Sequence, residues 1–401
     1  MSQQENISPG PAAGPRVLVW PSWWYPNRNA PLSGLFVRRQ ATATAAYCPT
    51  AVLFVTPEPG LGTRREIVSA VEHGVPTVRV YFRPAPCSPW QALSNTLRFM
   101  AAAAAGRRSL PAPFQNPDLI QVQITPPIGM ILFLRLFWRR KPLVFSEHWS
   151  KYLLPPRKEN PLRRWFIRRF SARCAAVTTV SEMLGQGMRA HGLRAARWRV
   201  IGNVVDPETF YPEKQKKIGE TKICLHISYQ NKIKNIAGII RAMAKLAARR
   251  SDVRLWVIGS GPMRAPCEEL ARVEGLFDRV VFFRDPLPEK EIAATMRLGD
   301  VLVLFSEHET FACVAAEALA SGLAVVSTPT AVVEYLPEGS GMLVPFADED
   351  ALASALEKTI DRLPAFDGTL GRRVVRERFA PREIGRQFFG LFQEVLGSYK
   401  P

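Results

Sequence analysis

Short apolar, β-branched segments alternate with longer helical patterns along almost the whole chain. In the first half, these segments occupy residues 17–20, 51–55, 78–82, 119–124, 143–148 and 176–180. A second series occupies residues 222–228, 253–262, 279–285, 300–306, 323–329 and 342–345. Because the segments are continuously apolar, they are typical of parallel strands covered by helices on both faces. The pattern predicts an α/β protein with two Rossmann-like domains.

A charged, Pro-containing segment separates the two series of strands. We predict a disordered leader over 1–15, an N-terminal domain over 16–205, a linker over 206–221, a C-terminal domain over 222–380 and a last helix within 381–401. The leader is polar and rich in Pro and Gly, so it does not resemble a signal peptide.

No apolar segment reaches the ~20 residues that are needed to cross a bilayer. The longest, 128–138, is interrupted by Arg135. The six cysteines are scattered, without a CxxC pair or zinc-ligand spacing. We therefore expect reduced thiols in a cytoplasmic protein. For Cys313, which lies in the candidate site described below, packing is favoured over reactivity.

The positive charge is concentrated in the first half of the chain. Residues 1–205 contain 27 Lys+Arg and 8 Asp+Glu, whereas residues 206–401 contain 26 and 27. Such a basic half indicates an anionic partner, which could be nucleic acid, an anionic membrane surface or an acidic substrate.

The segment 157–173 is the most basic part of this half. It predicts an amphipathic helix with Leu162, Phe166, Phe170 and Cys174 on one face. Its basic residues are Arg157, Lys158, Arg163, Arg164, Arg168, Arg169 and Arg173, against the single acid Glu159. With Trp165 on the same helix, a membrane-facing surface is favoured over an ordinary solvated face.

The candidate chemistry centres on residues 306–322, where seven residues separate Glu309 from Glu317. The apolar segment 300–305 predicts a buried strand, and the Ala-rich segment 311–320 predicts a helix. The start of such a helix offers free backbone N–H groups to an anion such as a pyrophosphate. The spacing alone fits an ordinary α/β unit equally well.

Other candidates follow the ends of predicted strands. Lys232 and Lys234 lie in the loop after Ser228, where lysine can neutralise phosphate. His148 follows a central strand, a position where open α/β sheets bind ligands. Gly34 could let a ligand approach the backbone, but it could equally serve a tight turn. Gly259, with Gly261, could also permit close approach, although a bare GxG is a weak signal.

The order of these motifs resembles glycosyltransferase family 4, the retaining "glycosyl transferases group 1" with the GT-B fold. The similar segments include VIGNVVDPETFYP, KNIAGIIRAMAKL, LWVIGSGPM, LGDVLVLFSEHETF and EALASGLAVVST, with SGLFVRRQA and SEHWSKYL in the first half. The resemblance covers about residues 16–397. It implies two Rossmann-like domains that face each other across a cleft, with C-terminal helices that cross back to the N-terminal domain.

The resemblance also implies roles for individual residues. Glu309 and Glu317 match the E-x7-E pair, in which the first contacts the donor sugar and the second holds the ribose. Lys234 matches the lysine that balances the pyrophosphate, and His148 a histidine near the transferred sugar. The remaining matches to donor-binding positions are Gly34, the loop from Arg284 to Leu287, and the backbone of Phe311, Ala312 and Cys313. Ser228 and Gly259, which lie at the ends of their strands, are further candidates for donor binding.

The chain departs from the family pattern at three places. Ile227-Ser228-Tyr229 stands where the family often has Gly-Arg, so Lys232 is a hypothetical substitute for the missing charge; its replacement by alanine should then raise the donor KM strongly. Glu309-Thr310-Phe311-Ala312 replaces the usual E-G-F-G. The common Gly-Gly after the next strand is absent from TPTAVVEYL.

The resemblance implies transfer of a sugar from a UDP- or GDP-linked donor to an acceptor hydroxyl, with retention. From the basic first half of the chain, we expect the acceptor to be a lipid-linked or cell-surface glycan precursor, and the enzyme to be peripheral on the inner face of the cytoplasmic membrane. No cofactor or metal is expected, because the DxD-like segment 348–350 opens a helix, where acids favour the dipole. The alternatives are a catalytically degenerate nucleotide-sugar-binding protein and a basic nucleic-acid-binding protein; the latter lacks an aromatic-basic RNA signature.

Overall fold

The computed structural model describes residues 14–155, 160–213 and 219–399. Most of the predicted leader, part of the predicted linker, and Arg157, Lys158 and Glu159 of the basic segment lie outside the described residues. The chain forms two compact units. Unit 1 comprises residues 1–204 and 381–401, and unit 2 comprises residues 205–380.

Unit 1 is built on an eight-stranded sheet in which only the edge pair β3–β4 is antiparallel. Its strands are β1 Val17–Pro21, β2 Thr50–Pro57, β3 Arg65–Glu72, β4 Val75–Phe82, β5 Leu119–Gln123, β6 Leu143–Glu147, β7 Ala176–Thr179 and β8 Trp198–Val200. The spatial order is β3-β4-β2-β1-β5-β6-β7-β8. The sheet core is apolar: Val17, Leu18 and Val19 of β1 have no exposed surface.

The helices of unit 1 are α1 Leu35–Ala45, α2 Gln91–Ser109, α3 Ala112–Gln115, α4 Ile128–Phe137, α5 Pro161–Arg173, α6 Glu182–Ala190 and α13 Pro381–Ser398. The last of these joins the unit from the far end of the chain and packs on α1. Gly385 allows this close approach, because a Cβ there would lie 2.2 Å from the Ala43 carbonyl oxygen. The Tyr47 hydroxyl also donates to the Arg382 carbonyl at 2.8 Å.

Unit 2 contains a six-stranded, fully parallel sheet in the order β11-β10-β9-β12-β13-β14. Its strands are β9 Lys222–Ile227, β10 Val253–Ile258, β11 Val281–Arg284, β12 Val301–Leu304, β13 Ala324–Ser327 and β14 Gly341–Leu343. Its helices are α7 Ile236–Ala247, α8 Arg264–Val273, α9 Glu289–Leu298, α10 Cys313–Ala320, α11 Glu349–Arg362 and α12 Thr369–Arg378. Because β9 and β12 are neighbours, the loops after their carboxyl ends lie side by side.

The two predicted parallel sheets are confirmed, but two edge strands were not predicted. The strand β3 is exposed at nearly every position and carries charges at both ends, so it lacks the continuous apolar pattern of the central strands. The strand β8 has three residues, which is too short for a pattern. Within the described ranges, no helix is both long enough and apolar enough to span a bilayer.

The apolar face predicted for α5 is correct only in its C-terminal half. Phe170 and Cys174 are buried, whereas Leu162 is 60% exposed. The buried face of the helix also includes Ile167 and Ser171. The difference arises because the N-terminal end of α5 extends beyond the core that packs its C-terminal end.

Candidate functional site

The loops after β9 and β12 bring two predicted residues together. Lys234 ends a short 3-10 turn after β9, and its Nζ donates to Glu309 Oε1 at 2.5 Å. The same carboxylate oxygen accepts a hydrogen bond from Ser306 Oγ at 2.8 Å. Both members of the ion pair keep some contact with solvent, with side-chain exposures of 21% for Lys234 and 12% for Glu309. This arrangement leaves a cation and a carboxylate within reach of a ligand.

The helix α10 begins next to Glu309 with an unusual backbone conformation. Ala312, immediately before its first residue, has φ 60° and ψ 68°, a left-handed conformation that costs a residue with a Cβ about 1–2 kcal/mol. An alanine has no side-chain cap, so the first N–H groups of α10 can donate to an anion. The glycine that usually stands here in the E-G-F-G pattern would adopt this conformation freely.

Aromatic side chains pack against the loop before α10 and hold it in place. The ring of Phe311 stacks on Tyr335 and meets Phe379 edge to face, with centroid distances of 5.2 Å and 4.9 Å. The Tyr335 hydroxyl donates to the carbonyls of Phe311 and Ala312 at 2.6 Å and 2.9 Å. Burial raises the pKa of Tyr335 well above its usual value, so it stays a donor. No sequence motif indicates this role of Tyr335.

The other predicted residues of α10 differ in exposure. Cys313 is its first residue and is partly exposed. Glu317 lies further along the helix and is only 8% exposed. The second glutamate of the pair is thus well shielded from water, whereas the first stands in the loop.

The glycines after β10 are required by the backbone itself. Gly259 and Gly261 have φ values of 133° and 153°. A Cβ on Gly259 would lie 2.0 Å from the Ser228 carbonyl oxygen, and one on Gly261 would lie 2.3 Å from the Gln230 carbonyl oxygen. The loop after β10 therefore lies in direct contact with the loop after β9. This contact accounts for a glycine at position 259 without a ligand.

The Ser228 side chain is hydrogen-bonded to a buried histidine. Its Oγ lies 2.8 Å from His226 Nε2, and His226 Nδ1 lies 2.9 Å from the Val303 carbonyl oxygen. Burial lowers the pKa of His226 to about 4, so the imidazole is neutral at physiological pH. The position of Ser228 after a strand makes it a candidate from the sequence, whereas its contact with His226 is visible only in the fold.

Three predicted donor residues lie outside the ion pair. Lys232 is exposed at the start of the 3-10 turn. The guanidinium carbon of Arg284 lies 3.8 Å from the Trp256 ring centroid, and the Arg284 carbonyl accepts from Gly259 N at 3.1 Å. Leu287 is half-buried in the exposed loop that follows β11. The hydrogen bond between Gly259 N and the Arg284 carbonyl thus connects the loop after β11 to the turn after β10.

In unit 1, His148 follows β6 and is 7% exposed. Its Nε2 lies 2.7 Å from Gln123 Oε1, and its ring lies 4.6 Å from that of Phe36. Burial lowers the pKa of His148 to about 3, although a hydrogen bond that the imidazole donates to the Asn203 side chain opposes the shift. Because an amide oxygen can only accept, Nε2 carries the proton. Nδ1 has no hydrogen-bond partner among the described residues, so it presents a lone pair.

Glu147, next to His148, fixes the backbone of this loop. Its Oε1 accepts from the backbone N–H groups of His148 and Trp149 at 2.8 Å and 2.9 Å. Its Oε2 accepts from the backbone N–H of Thr125 at 2.9 Å and from the Thr125 hydroxyl. The carboxylate is fully buried, and burial raises its pKa. The sign of this role in the sequence is a glutamate at the end of an otherwise largely apolar strand, in Ser146-Glu147-His148.

Gly34 caps the N-terminus of α1 with φ 68°. A Cβ there would lie 2.3 Å from the Trp24 carbonyl oxygen, so the chain cannot follow this path with another residue. The tight turn therefore accounts for this glycine, whether or not it also meets a ligand.

Comparisons with known proteins agree with this architecture. Residues 35–209 match the family model described as Glycosyltransferase Family 4, and residues 221–362 match that described as Glycosyl transferases group 1. The chain belongs to glycosyltransferase family 4. The family and the GT-B fold that the sequence predicted are thus confirmed.

Among curated proteins, this glycosyltransferase is 26% identical over 311 residues to the N-acetyl-alpha-D-glucosaminyl L-malate synthase of Bacillus anthracis. That match covers 74% of this chain and 80% of the relative. It is 32% identical over 186 residues to the D-inositol 3-phosphate glycosyltransferase of Corynebacterium diphtheriae, covering 41% and 43%. The second match therefore spans less than half of that relative.

Solved structures share the fold at low sequence identity. Sucrose-phosphate synthase from Thermosynechococcus elongatus has a TM-score of 0.76 and 19% identity, covering 96% of this chain and all of that chain. HepE from Anabaena, in complex with UDP and glucose, has a TM-score of 0.71 and 17% identity, covering 95% and 100%.

The acidic segment 348–350 of the glycosyltransferase is held by neighbouring side chains. Asp348 caps α11 by accepting from the Ala351 N–H at 2.8 Å. Glu349 pairs with Arg241 and Asp350 with Lys245, both at 2.7 Å. In the part of the chain that the structure describes, no group of three or more His, Cys, Asp or Glu residues is arranged to hold a metal ion.

Unit 1 has a groove between α4 and α5. It has a volume of about 540 Å³, and Arg135, Arg169 and Arg173 line it together with apolar side chains of both helices. Large apolar side chains stand exposed on the same two helices: Leu136 at 65%, Leu162 at 60% and Trp165 at 54%. The surface combines positive charge with exposed apolar groups.

Proposed function

We propose that this glycosyltransferase moves a sugar from a UDP- or GDP-linked donor to an acceptor hydroxyl, with retention and without a metal. The observation that carries the proposal is the Lys234–Glu309 ion pair beside the uncapped start of α10. Lys234 and the helix N–H groups offer positive charge for a diphosphate. That HepE, of similar fold, was crystallised with UDP and with UDP-glucose supports a nucleotide-sugar donor.

The proposed step breaks the bond between the anomeric carbon and the diphosphate oxygen. The electron pair leaves with the diphosphate, where Lys234 and the α10 N–H groups stabilise the negative charge. The acceptor oxygen forms the new bond on the same face of the sugar. Its proton passes to a phosphate oxygen of the departing group, so no base or metal on the protein is needed.

On this proposal, Glu309 and His148 are the catalytic residues that contact the transferred sugar. Glu309 accepts from sugar hydroxyls with its position fixed by Ser306 and Lys234. His148 is neutral and accepts a hydroxyl hydrogen bond at Nδ1. The remaining donor contacts are proposed for Gly34, Ser228, Lys232, Gly259, Arg284, Leu287, Phe311, Ala312, Cys313 and Glu317.

We propose a lipid-linked or cell-surface glycan precursor as the acceptor, reached from an anionic membrane surface. The α4–α5 groove supports this part of the proposal, since exposed apolar side chains with arginines suit the boundary of an anionic bilayer.

The transfer reaction can be tested by incubating the full chain with UDP- and GDP-sugars. We expect one donor to release its nucleoside diphosphate in the presence of chelator, and NMR of the product to show the anomeric configuration of the donor. A protein that binds one of these donors but neither hydrolyses nor transfers it would instead be a degenerate binding protein.

Membrane binding is tested separately by flotation with vesicles of phosphatidylcholine, with or without phosphatidylglycerol. We expect binding to the anionic vesicles only, and weaker binding of a Leu136→Ser/Trp165→Ser double variant. A matched control, Val273→Ser/Leu298→Ser, removes exposed apolar side chains from unit 2. No flotation of the wild-type protein, or equal loss in both variants, would contradict the membrane proposal.

A further inference from the structure

Four arginines line a second cavity of unit 1, at the edge of its sheet. Arg64 precedes β3, Arg65 begins it, Arg83 follows β4, and Arg98 projects from α2. The cavity has a volume of about 490 Å³, and the buried residues Phe82 and Ala102 form its floor. None of its lining residues is among those assigned to sugar transfer.

Backbone contacts hold the segments that carry these arginines. Arg65 pairs with Phe82 across the antiparallel β3–β4 ladder. The N–H of Arg83 donates to the Arg64 carbonyl at 3.1 Å. From α2, Arg98 Nη1 donates to the carbonyls of Arg83 and Pro84 at 2.9 Å and 3.1 Å. The backbone positions of the first three arginines and the guanidinium of Arg98 are therefore fixed, and all four side chains line the one cavity.

The charge of this cavity is not neutralised from within the described part of the protein. Glu66 neighbours Arg65 on β3, but successive side chains of a strand point to opposite faces. Glu66 and Glu58 both pair with Arg28, at 2.8 Å and 2.7 Å, and the hydrogen bond to Arg28 lowers the pKa of Glu66. No ion pair joins any of the four arginines to a described carboxylate.

We propose that Arg64, Arg65, Arg83 and Arg98 form a binding site for a phosphate group. Four cations call for an anion of more than one charge, and a phosphate monoester carries about −1.5 to −2 at neutral pH. The planar fork of a guanidinium matches two phosphate oxygens at once. A single carboxylate would leave most of the donors without an acceptor.

The site is distinct from the one around His148. Both follow carboxyl ends of parallel strands, β4 and β6, but β2, β1 and β5 lie between them. At ~4.8 Å per strand, the two strand ends are about 19 Å apart. Because of this separation, phosphate binding does not depend on the proposed sugar transfer. Two sources of the phosphate fit this chemistry, a lipid headgroup and a soluble ligand.

Titration calorimetry of the full chain with inorganic pyrophosphate at low salt tests the site. The variant R64Q/R83Q removes two guanidinium groups whose side chains are exposed. We expect it to bind pyrophosphate roughly tenfold or more weakly than the wild-type protein. The matched control, R194Q/R376Q, loses the same charge from exposed arginines elsewhere and should bind as the wild-type protein does. Lys234→Ala identifies any pyrophosphate bound at the donor site.

Flotation with phosphatidylcholine vesicles that contain phosphatidic acid distinguishes the two sources of phosphate. If R64Q/R83Q floats less than R194Q/R376Q, the ligand is a lipid headgroup; if the two float equally while pyrophosphate binding is reduced, it is soluble. Circular dichroism melting verifies that both variants are folded, and R64K/R83K should retain part of the affinity. Equal pyrophosphate binding by R64Q/R83Q and R194Q/R376Q would overturn the proposal.

Discussion

Two regions of the glycosyltransferase follow the carboxyl ends of parallel strands, yet they hold their polar groups in opposite ways. In unit 2, Lys234 and Glu309 form a charged pair that keeps contact with solvent. In unit 1, a buried neutral His148 sits beside Glu147, whose oxygens are occupied by backbone and hydroxyl donors. The first arrangement suits exchange of partners when a charged ligand binds, and the second suits fixed orientation.

This contrast predicts that substitutions in the two regions impair different properties of the protein. Changes at the ion pair should affect ligand binding and turnover while stability is largely kept. Changes in the buried network should lower stability, because a buried group that loses its partner is costly.

The largest effect is expected for Glu309→Gln. It removes a charge that we propose interacts with the sugar in the transition state, so kcat/KM should fall about 100-fold or more. The neighbouring Glu307→Gln, whose side chain is 61% exposed, should leave kcat/KM within about twofold. Steady-state kinetics with the identified donor supply the measurement, and equal losses in the two variants would remove Glu309 from the mechanism.

Glu147→Gln should be the most destabilising change on the unit 1 side. An amide nitrogen cannot accept the N–H bonds that one carboxylate oxygen now accepts, so the free energy of unfolding should fall by roughly 2–3 kcal/mol. Glu394→Gln is the matched control, because its ion pair with Arg199 is about half exposed. Urea denaturation compares the variants; a loss below about 0.5 kcal/mol in Glu147→Gln would contradict the role of this network.

The pH dependence of stability should separate His148 from an exposed histidine. Its folded pKa, about 3, lies below the unfolded value, so only the unfolded state gains a proton as the pH falls from about 6.5 towards 3. Between pH 7 and pH 5 the wild-type protein should lose about 2 kcal/mol relative to His148→Gln.

The raised pKa of Glu147 acts in the opposite direction but is common to both proteins. Urea denaturation at the two pH values gives the difference. His73→Gln, at an exposed position, should track the wild-type protein. A constant difference between the wild-type protein and His148→Gln across this range would mean that His148 is not buried in neutral form.

Ala312→Gly should have a smaller effect of opposite sign. Its φ of 60° favours glycine, so the free energy of unfolding should rise by up to about 1 kcal/mol. Ala315→Gly, within the same helix, should instead destabilise by about 1 kcal/mol or more. Thermal denaturation measures both; destabilisation by Ala312→Gly would show that the left-handed conformation is not strained.

Much of this architecture could be predicted because the central strands carry continuous apolar patterns. The strand β3 was missed because an exposed edge strand lacks that pattern. Lys234 and Glu309 could be predicted individually, but their pairing depends on β9 and β12 being neighbours, which no local pattern encodes. The role of Tyr335 and the bonds of Glu147 to Thr125 depend on partners more than 20 residues away in the sequence. The left-handed backbone of Ala312 contradicts what alanine favours.

Our central claim is that Lys234, beside the start of α10, binds the diphosphate of a nucleotide-sugar donor. Thermal denaturation of the full chain with UDP and with GDP tests it most directly, since a ligand that binds the native state raises Tm. We predict that one nucleotide raises Tm by several degrees, that Lys234→Ala loses most of this shift, and that the exposed Lys232→Ala loses less of it. If neither nucleotide raises Tm, or if Lys234→Ala shows the full shift, the claim is wrong.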